Sequence, residues 1–328
     1  MNRTQVATII CRCISAFVLL GVVIWLIFGL TNNANTGVRA FNIGFINFAP
    51  TGPYSLVETH RIPASKISAN NIDSIMVDWI SGSVSVNVHQ GDEIIISEYS
   101  RREIQDAHRL QLEASGNSIS VEFIGQDRSI VQNIPPKRLE ILVPYTLSES
   151  LEHFQITTVS GRIQVSDITS NKFSTNTVSG RIELRDINAQ ELDASTTSGR
   201  ISLANVNAED ISLRTVSGRI ETSRTYAQSI RSYTTSGRHT LSGSFSDVNS
   251  RSASGRIEIT SSVVPESLIA GALSGRISVT VPAEGTPSVQ YSTRSGRFRS
   301  DIPVILHSGS DAQFQLSTAS GRISIQRL

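Results

Sequence analysis

The chain is poor in cysteine, in charge and in aromatic residues, and each shortage excludes a class of protein. Among its 328 residues the only cysteines are Cys11 and Cys13, so residues 14–328 can form no disulfide, thiolate metal site or cysteine nucleophile. Charged residues make up 17% of the chain, against the usual ~25%, and the net charge is only +1, which gives no indication of nucleic-acid binding. Hydrophobic residues, at 39%, are enough for a sizeable core. Aromatics at 6% and abundant Ser, Thr, Ile, Val and Arg favour β structure.

The sequence also lacks the motifs of common enzymes. No pair of its six histidines has the spacing of metal ligands. The histidines are His60, His89, His108, His153, His239 and His307. No nucleophile elbow, phosphate loop or dinucleotide fingerprint is present. We therefore predict a protein that is not an enzyme and has no cofactor or metal site. A carbohydrate-active β-helix enzyme is a remote alternative, because such enzymes also use coiled β architectures.

One long uncharged segment lies near the N-terminus. Residues 13–30 contain no charge and are long enough, as a helix, to cross most of a ~30 Å hydrocarbon layer. Arg3 and Arg12 precede this segment, and the next charge is Arg39, which favours a cytoplasmic N-terminus. We predict a cytoplasmic tail (1–12), a transmembrane signal anchor (13–30) and a tether (31–70), with the body outside a cell membrane. The alternative is a cleaved signal peptide, although no good cleavage site follows.

A repeat dominates the rest of the chain. The tripeptide Ser-Gly-Arg occurs nine times, at intervals of 19, 19, 19, 19, 18, 20, 21 and 25 residues. Its glycines are Gly161, Gly180, Gly199, Gly218, Gly237, Gly255, Gly275, Gly296 and Gly321. A short motif recurring at a nearly constant interval is the signature of stacked repeats, which bury together the apolar faces that no single repeat can bury.

The residues around each glycine indicate strands that bend at a corner. Apolar side chains recur with a period of two on both sides, at the seventh residue before the glycine and at the second and fourth after it, with His239, Thr222 and Ser300 as the exceptions. The alternation shifts by one at Ser-Gly, as at a bulge or corner where glycine is needed for positive φ or for tight geometry. We predict an all-β fold, a right-handed β-solenoid of ~19-residue coils stacked about 4.8 Å apart.

The solenoid is expected to divide into a regular and an irregular part. Residues 146–328 form the regular Ser-Gly-Arg coils, and residues 71–145 form irregular first coils that also cap them. Within the irregular part, Gly82 has the same apolar frame with Ser83 in place of arginine. Ser115-Gly116 is interpreted as a displaced corner, and residues 138–144 as one more strand.

The arginines of the repeat precede inward residues, so they are predicted to point outward. We call them the arginine column: Arg162, Arg181, Arg200, Arg219, Arg238, Arg256, Arg276, Arg297 and Arg322. Two charges about 4.8 Å apart repel by ~0.9 kcal/mol even in water, and Glu183, Glu221 and Glu258 are expected to bridge arginines of neighbouring coils. Two interpretations stay open: a solvated ladder that keeps the sheet soluble, or a stripe that binds anions.

The chain resembles a known bacterial family in two runs and in the repeat itself. The runs are Ile-Met-Val-Asp-Trp-Ile-Ser-Gly-Ser-Val-Ser-Val (75–86) and Gly-Asp-Glu-Ile-Ile-Ile-Ser-Glu (91–98), followed by serial Val/Thr-Ser-Gly-Arg-Ile units. They are similar to the "putative adhesin" β-strand-repeat family of unknown function, over roughly residues 70–328. The resemblance implies anchoring at the bacterial envelope and, for some members, association with membrane-stress responses. It implies no binding residues.

Two functional hypotheses follow. The first is a membrane-anchored, adhesin-like binding or envelope-sensing module for an anionic polysaccharide, a lipid headgroup or a protein partner. The second is a structural protein that assembles, for example as a homo-oligomer, through an open sheet edge at its last coil, Ser320–Leu328.

Overall fold

The computed structural model describes residues 53–63, 65–66, 72–123, 135–283, 286–305 and 312–328, and nearly all of its regular structure is strand. A 3₁₀ turn occupies Asp106–His108, a short helix, α1, occupies Tyr145–Ser148, and residues 65–66 are also helical. The strands are β1 (Ser55–Ile62), β2 (Ser74–His89), β3 (Ile94–Ser100), β4 (Gln111–Ser115), β5 (Ser118–Glu122), β6 (Lys137–Pro144), β7 (Leu151–Ser179), β8 (Ile182–Ser198), β9 (Arg200–Ser261), β10 (Ser267–Ser274), β11 (Ile277–Val281), β12 (Ser288–Ser300) and β13 (Gln313–Arg327).

The long strands β7, β8 and β9 pair in parallel with a shift of one repeat. Ile163 lies opposite Ile182, and Ile182 lies opposite Ile201, so each repeat residue stacks on its equivalent in the next coil. The inward positions of these coils are buried, and at one of them the rings of Phe154 and Phe173 stack with centroids 4.8 Å apart. The predicted all-β, solenoid-like fold is confirmed, while its right-handed winding stays a prediction.

The corner glycines are required by the distance between coils. A Cβ built on Gly180, Gly199 or Gly218 would lie 1.7–1.8 Å from the carbonyl oxygen of the corner glycine in the preceding coil. Only Gly321 among the nine has a positive φ. Close backbone approach, rather than backbone conformation, therefore explains why glycine recurs here.

A second corner lies six residues after the glycine, where the sequence pattern indicated only a return turn. Asp167, Asp186, Asn205 and Arg224 occupy it with φ between 47° and 63°. Asp and Asn adopt this left-handed conformation more readily than other side chains, because their short polar groups bond locally. The Asn205 amide also donates to the Asp186 carboxylate. These coils therefore turn at residues with positive φ at one corner and at glycine at the other.

The N-terminal strands begin the solenoid and then cover its end. Strand β2 forms a coil in parallel register with β7, and Gly82 lies opposite Gly161. On the other side of β2 lie β5 and β6, also parallel to it. Strand β3 pairs with β6 and β4 with β5, both antiparallel, so the parallel stacking ends there.

Two expectations for this region need correction. Ser115-Gly116 is not a displaced corner, because β4 and β5 form a hairpin whose turn is Gly116-Asn117, with φ of 58° at Gly116. The segment predicted as a tether, 31–70, contains β1, which pairs antiparallel with β3 from Ser55 onward. The sheet therefore begins before residue 70.

The last coils do not stack in chain order, which corrects the prediction of an open edge at Ser320–Leu328. Strand β13 pairs on one side with β10 and β11 and on the other with β12. It is inserted between coils that precede it in the chain. The inward residues explain this choice: β13 carries Phe314, Leu316, Ile323 and Ile325, all buried, whereas β12 has Ser300 at the last of these positions. The more apolar coil takes the interior place, where both of its sides are covered.

The predicted anchor, 13–30, and the cytoplasmic tail, 1–12, lie outside the described residues. Among the residues that the structure describes, no helix has the length and apolar character needed to cross a bilayer.

Candidate functional site

The arginine column lies on the outer surface, immediately after the glycine corners. Every one of its nine side chains is exposed or half-buried. Backbone hydrogen bonds hold neighbouring members in register: the Ile163 amide donates to the Arg181 carbonyl (2.8 Å), and the Ile257 amide donates to the Arg276 carbonyl (2.9 Å). Arg297 lies directly opposite Arg322, so the order of these two members is exchanged relative to the chain.

Counter-charges are placed within coils rather than between them. Guanidinium nitrogens of Arg181, Arg219 and Arg256 lie 3.1–3.2 Å from the carboxylates of Glu183, Glu221 and Glu258, two residues further along each strand. The expectation that these glutamates bridge arginines of neighbouring coils is therefore wrong for Glu183 and Glu258. Glu221 is the one of the three that also approaches an arginine of the preceding coil, with its carboxylate 3.8 Å from Arg200, whereas Glu183 accepts a hydrogen bond from the Gln164 side-chain amide of the preceding coil (3.0 Å).

The other five arginines of the column form no ion pair with a described residue. They are Arg162, Arg238, Arg276, Arg297 and Arg322. The column thus combines partly neutralised and free guanidinium groups, each of which offers planar, bidentate hydrogen bonding to a carboxylate or phosphate.

An interrupted aliphatic stripe lies on the other side of the same corners, with Thr197 and Thr235 among the residues between its members. Val159 and Val178 are each 49% exposed and Leu273 is 62% exposed, all two residues before a corner glycine. Exposed aliphatic groups beside guanidinium groups suit a ligand that has both apolar surface and negative charge. This stripe was not predicted, although a hydrophobic residue before Ser-Gly-Arg in several repeats was its signal.

The face formed by the strands before the corners carries charges that largely satisfy one another. Arg214 lies 3.2 Å from the Asp193 carboxylate, and Arg231 pairs with Asp210. These groups line a shallow depression together with Glu191. Because its cations already have acidic neighbours, this face is a weaker candidate for anion binding than the arginine column.

His239 occupies an inward position of the solenoid and is fully buried. Its Nδ1 lies 2.8 Å from the Ser232 hydroxyl and 3.0 Å from the Ser250 hydroxyl, and the two hydroxyls lie 2.9 Å apart. Serine and histidine in contact can form a catalytic nucleophile and base, but no substrate reaches groups with this burial. Burial lowers the pKa of His239 to about 4, so the imidazole is neutral at pH 7.

The buried imidazole predicts a pH-dependent stability. Unfolded histidine has a pKa of about 6.5, so below that pH the unfolded chain binds a proton that the folded chain does not. Stability is therefore full above pH 6.5 and falls as the pH approaches 4. We expect a loss of about 2 kcal/mol between pH 7 and pH 5, measured by urea unfolding.

The variant His239→Ile, which restores the repeat residue, should remove most of this pH slope and leave Ser232 and Ser250 bonded to each other. Replacing the exposed His153 by Gln is the matched control and should leave the slope intact. Equal slopes in the native chain and in His239→Ile would contradict the assignment.

A buried ion pair at the N-terminal end of the core was not predicted. Lys137 and Glu98 are both inaccessible to solvent, and they form an ion pair. The Lys137 ammonium also donates to the carbonyl oxygens of His108 and Phe123, while Glu98 accepts from the Leu110 amide (3.2 Å). Burial lowers the pKa of Lys137, and the bond to Glu98 opposes that shift.

This pair closes the core rather than forming a ligand site. The ammonium of Lys137 lies 4.0 Å from the ring centroid of Phe123 and 5.0 Å from that of Trp79. Lys137 lies opposite Gly82 in the neighbouring strand, at the position where a further coil would have its corner glycine. Nothing in the sequence around this lysine distinguishes it from a solvated one. Elsewhere in the described residues, no group of three His, Cys, Asp or Glu side chains is placed to hold a metal ion.

Comparison with known proteins gives one family and several distant structures. A family model described as Toastrack DUF4097 matches residues 72–327, in agreement with the resemblance drawn from the repeat. No curated protein matches the chain.

Among crystal structures, a "putative adhesin" from Bacteroides fragilis NCTC 9343 is 13% identical, with 84% of this chain and 97% of that chain covered and a TM-score of 0.44. A "putative adhesin" from Parabacteroides distasonis ATCC 8503 is 14% identical, with 84% and 98% covered and a TM-score of 0.48. A "putative lipid binding protein" from the same strain is 15% identical, with 82% and 96% covered and a TM-score of 0.38.

Proposed function

The chain belongs to the Toastrack DUF4097 family, and from its exposed arginine column we propose that it is a non-enzymatic, adhesin-like binding module of the cell envelope. Its ligands are linear anionic polymers with a negative group on each repeating unit, such as acidic polysaccharides. The observation that carries this proposal is the column itself: nine outward guanidinium groups in register, five of them without an ion-pair partner among the described residues.

The geometry favours a polymer over a small anion. One exposed ion pair is worth only about 0.2–1 kcal/mol, so a single arginine would not retain a ligand. Coils about 4.8 Å apart repeat the same cation along the solenoid, and a linear polyanion engages several of them at once. Each further contact is then intramolecular, so weak contacts add up to useful affinity. The aliphatic stripe at Val159, Val178 and Leu273 supplies apolar contact beside the charges.

This proposal predicts that polymer binding depends on the arginines of the column and not on the net charge of the protein. Replacing Arg200, Arg219 and Arg238 by Gln should weaken binding of polygalacturonate to the full-length protein at least tenfold, since three contacts at about 0.5 kcal/mol each are lost. Binding should also weaken with added salt. The measurement is titration calorimetry of the chain in neutral detergent, with uncharged dextran as the negative polymer.

A matched variant removes the same charge from another face. Arg214, Arg231 and Arg251 are exposed, and their replacement by Gln should leave the affinity within twofold. An equal loss of affinity in the two triple variants would show that binding depends only on net charge. An unchanged affinity in the column variant would refute the proposal. Flotation with vesicles of anionic phospholipid tests the lipid alternative: binding of vesicles but not of polygalacturonate would reassign the column to lipid headgroups.

We further propose that residues 13–30 anchor the protein in a cell membrane, with residues 1–12 in the cytoplasm and the body outside. The sequence allows a direct test, because residues 14–328 contain no cysteine. The exposed residue Ser236 is changed to Cys in the full chain, and protoplasts are treated with a membrane-impermeant maleimide. Ser236→Cys should be labelled in intact protoplasts.

The native cysteines are the internal control. Cys11 and Cys13 should be labelled only after lysis, and a mature chain that lacks both would instead indicate a cleaved signal peptide. Labelling of Ser236→Cys only after lysis would place the body in the cytoplasm and contradict the proposal.

A further inference from the structure

Among the described residues, β12 is the outermost strand at the C-terminal end of the stack, and from Gln290 to Ser300 it is paired with a described strand on one side only. Its whole length pairs with β13. On its other side, within the described residues, the contact is with Ile305, whose amide donates to the Pro287 carbonyl (3.0 Å) and whose carbonyl accepts from the Val289 amide (2.7 Å). From Gln290 to Ser300 no described strand covers that side. Unpaired backbone of this kind is a template for another strand.

The open strand departs from the repeat by gaining positive charge. Arg294 stands two residues before the corner glycine, where the other coils have Val, Thr, Ala or Leu. Arg299 stands three residues after it, where the others have Glu, Gln, Ser or Thr. With Arg297 of the column, three exposed arginines lie within six residues. Their described counter-charge is Asp301, 3.0 Å from Arg299.

The same strand presents an aromatic pair at the end of the core. Tyr291 and Phe298 occupy inward positions of the repeat, and their rings stack with centroids 4.2 Å apart and planes 6° apart. Tyr291 is nonetheless 44% exposed, because no described coil lies beyond it. Residues at alternate positions of an added strand would contact these rings.

A second copy of the chain is a poor occupant of this edge. Pairing β12 with β12 of another molecule would set two arginine triplets against each other, and like charges across neighbouring strands destabilise pairing. At the other end of the sheet, β1 carries His60 and Arg61 as well as Glu58, so a head-to-tail copy offers little acidic complement.

We propose that Gln290–Ser300 is a docking strand, to which an extended acidic segment of a partner protein is added as a further strand. Main-chain hydrogen bonds supply the pairing, the arginines select acidic side chains on one face, and the Tyr291–Phe298 pair receives apolar side chains on the other. This inference is independent of polymer binding at the arginine column, since Arg294, Arg299 and Tyr291 lie outside that column.

The test uses the full-length protein and a designed peptide of alternating Val and Glu, labelled with fluorescein and followed by anisotropy. The peptide should bind in a saturable manner. R294E combined with R299E should weaken it at least tenfold, and so should Tyr291→Ala. The column variant R162E combined with R181E changes the net charge equally, so it is the matched control and should change the affinity less than twofold.

Peptide chemistry distinguishes strand pairing from simple charge attraction. A peptide with N-methyl groups on alternate amides retains its charge but loses one row of donors, and its affinity should fall at least tenfold. A Val-Lys peptide should not bind. Circular dichroism melts of each variant verify folding, and Arg294→Gln with Arg299→Gln is the milder pair if charge reversal lowers the melting temperature.

Four outcomes would overturn the inference: no binding of the Val-Glu peptide, equal binding of the N-methylated peptide, equal loss in the column variant, or a concentration-dependent dimer in light scattering that R294E with R299E abolishes. The last outcome would assign the edge to a second copy. Loss of polygalacturonate binding in the triple column variant leaves this test unaffected, because the two experiments use different arginines.

Discussion

Replacing Gly218 by alanine is expected to lower the free energy of unfolding by at least ~3 kcal/mol, the upper end of the cost of overpacking. The added Cβ would lie 1.8 Å from the carbonyl oxygen of Gly199. That oxygen belongs to the backbone of the preceding coil and also accepts the Arg219 amide hydrogen bond (3.2 Å), so no side-chain rotation relieves the clash. The coils must separate locally and lose contacts on both sides. The melting temperature should fall by about 6–12 °C.

Gly271 provides the matched control. A Cβ there would meet the Ser317 hydroxyl at 3.3 Å, and that side chain can rotate away. Gly271→Ala should therefore change stability by less than about 1 kcal/mol, with either sign. Circular dichroism during heating and in urea measures both variants. A Gly218→Ala protein as stable as the native one would show that the coils are not held at this separation.

Replacing Lys137 by methionine is expected to cost about 3–5 kcal/mol, because it leaves the Glu98 carboxylate buried without its cation. The loss of the bonds from the ammonium to the His108 and Phe123 carbonyls adds to this cost. Glu98→Gln should be similarly harmful, although the amide oxygen can still accept from Leu110. In both variants an uncompensated charge remains in a core that excludes water.

The double variant, Lys137→Met with Glu98→Gln, distinguishes the electrostatic contribution of the ion pair from the packing of the two side chains. Because no charge remains buried, it should be more stable than the sum of the two single losses predicts, by at least about 1 kcal/mol. Urea unfolding at pH 7 of all four proteins gives this coupling. Additive losses would mean that the two side chains do not interact in the folded protein.

Several features were predictable because the residues of each repeat determine its own strands and corners. The period-two apolar positions around Ser-Gly-Arg correctly identified buried residues such as Ile163 and Ile182, and the frame around Gly82 anticipated its register with Gly161. The second corner was also within reach of the sequence. Asp167, Asp186 and Asn205 recur six residues after the glycine, and these are residue types that accept positive φ.

Other features depend on partners that are distant in the chain. Lys137 begins an ordinary strand, and only the converging Glu98, Trp79 and Phe123 make it a core residue. The segment around Ser55 lacks any repeat frame, so the sequence does not predict its pairing with β3 and indicates a tether instead. The three arginines of the end coil were visible as departures from the repeat, but their position at an edge was not.

The amino-acid sequence by itself determined the coil: its length, its corners, its inward side chains and the outward arginine column. These follow from local alternation and from a spacing that brings equivalent residues together. Only the tertiary structure decided which coil is outermost. Every coil offers the same backbone hydrogen bonds to its neighbours, so the order of stacking depends on which apolar faces are covered on both sides. That competition places β13, with Phe314 and Ile325, inside the stack, and leaves β12, with Tyr291 and its arginines, at the edge.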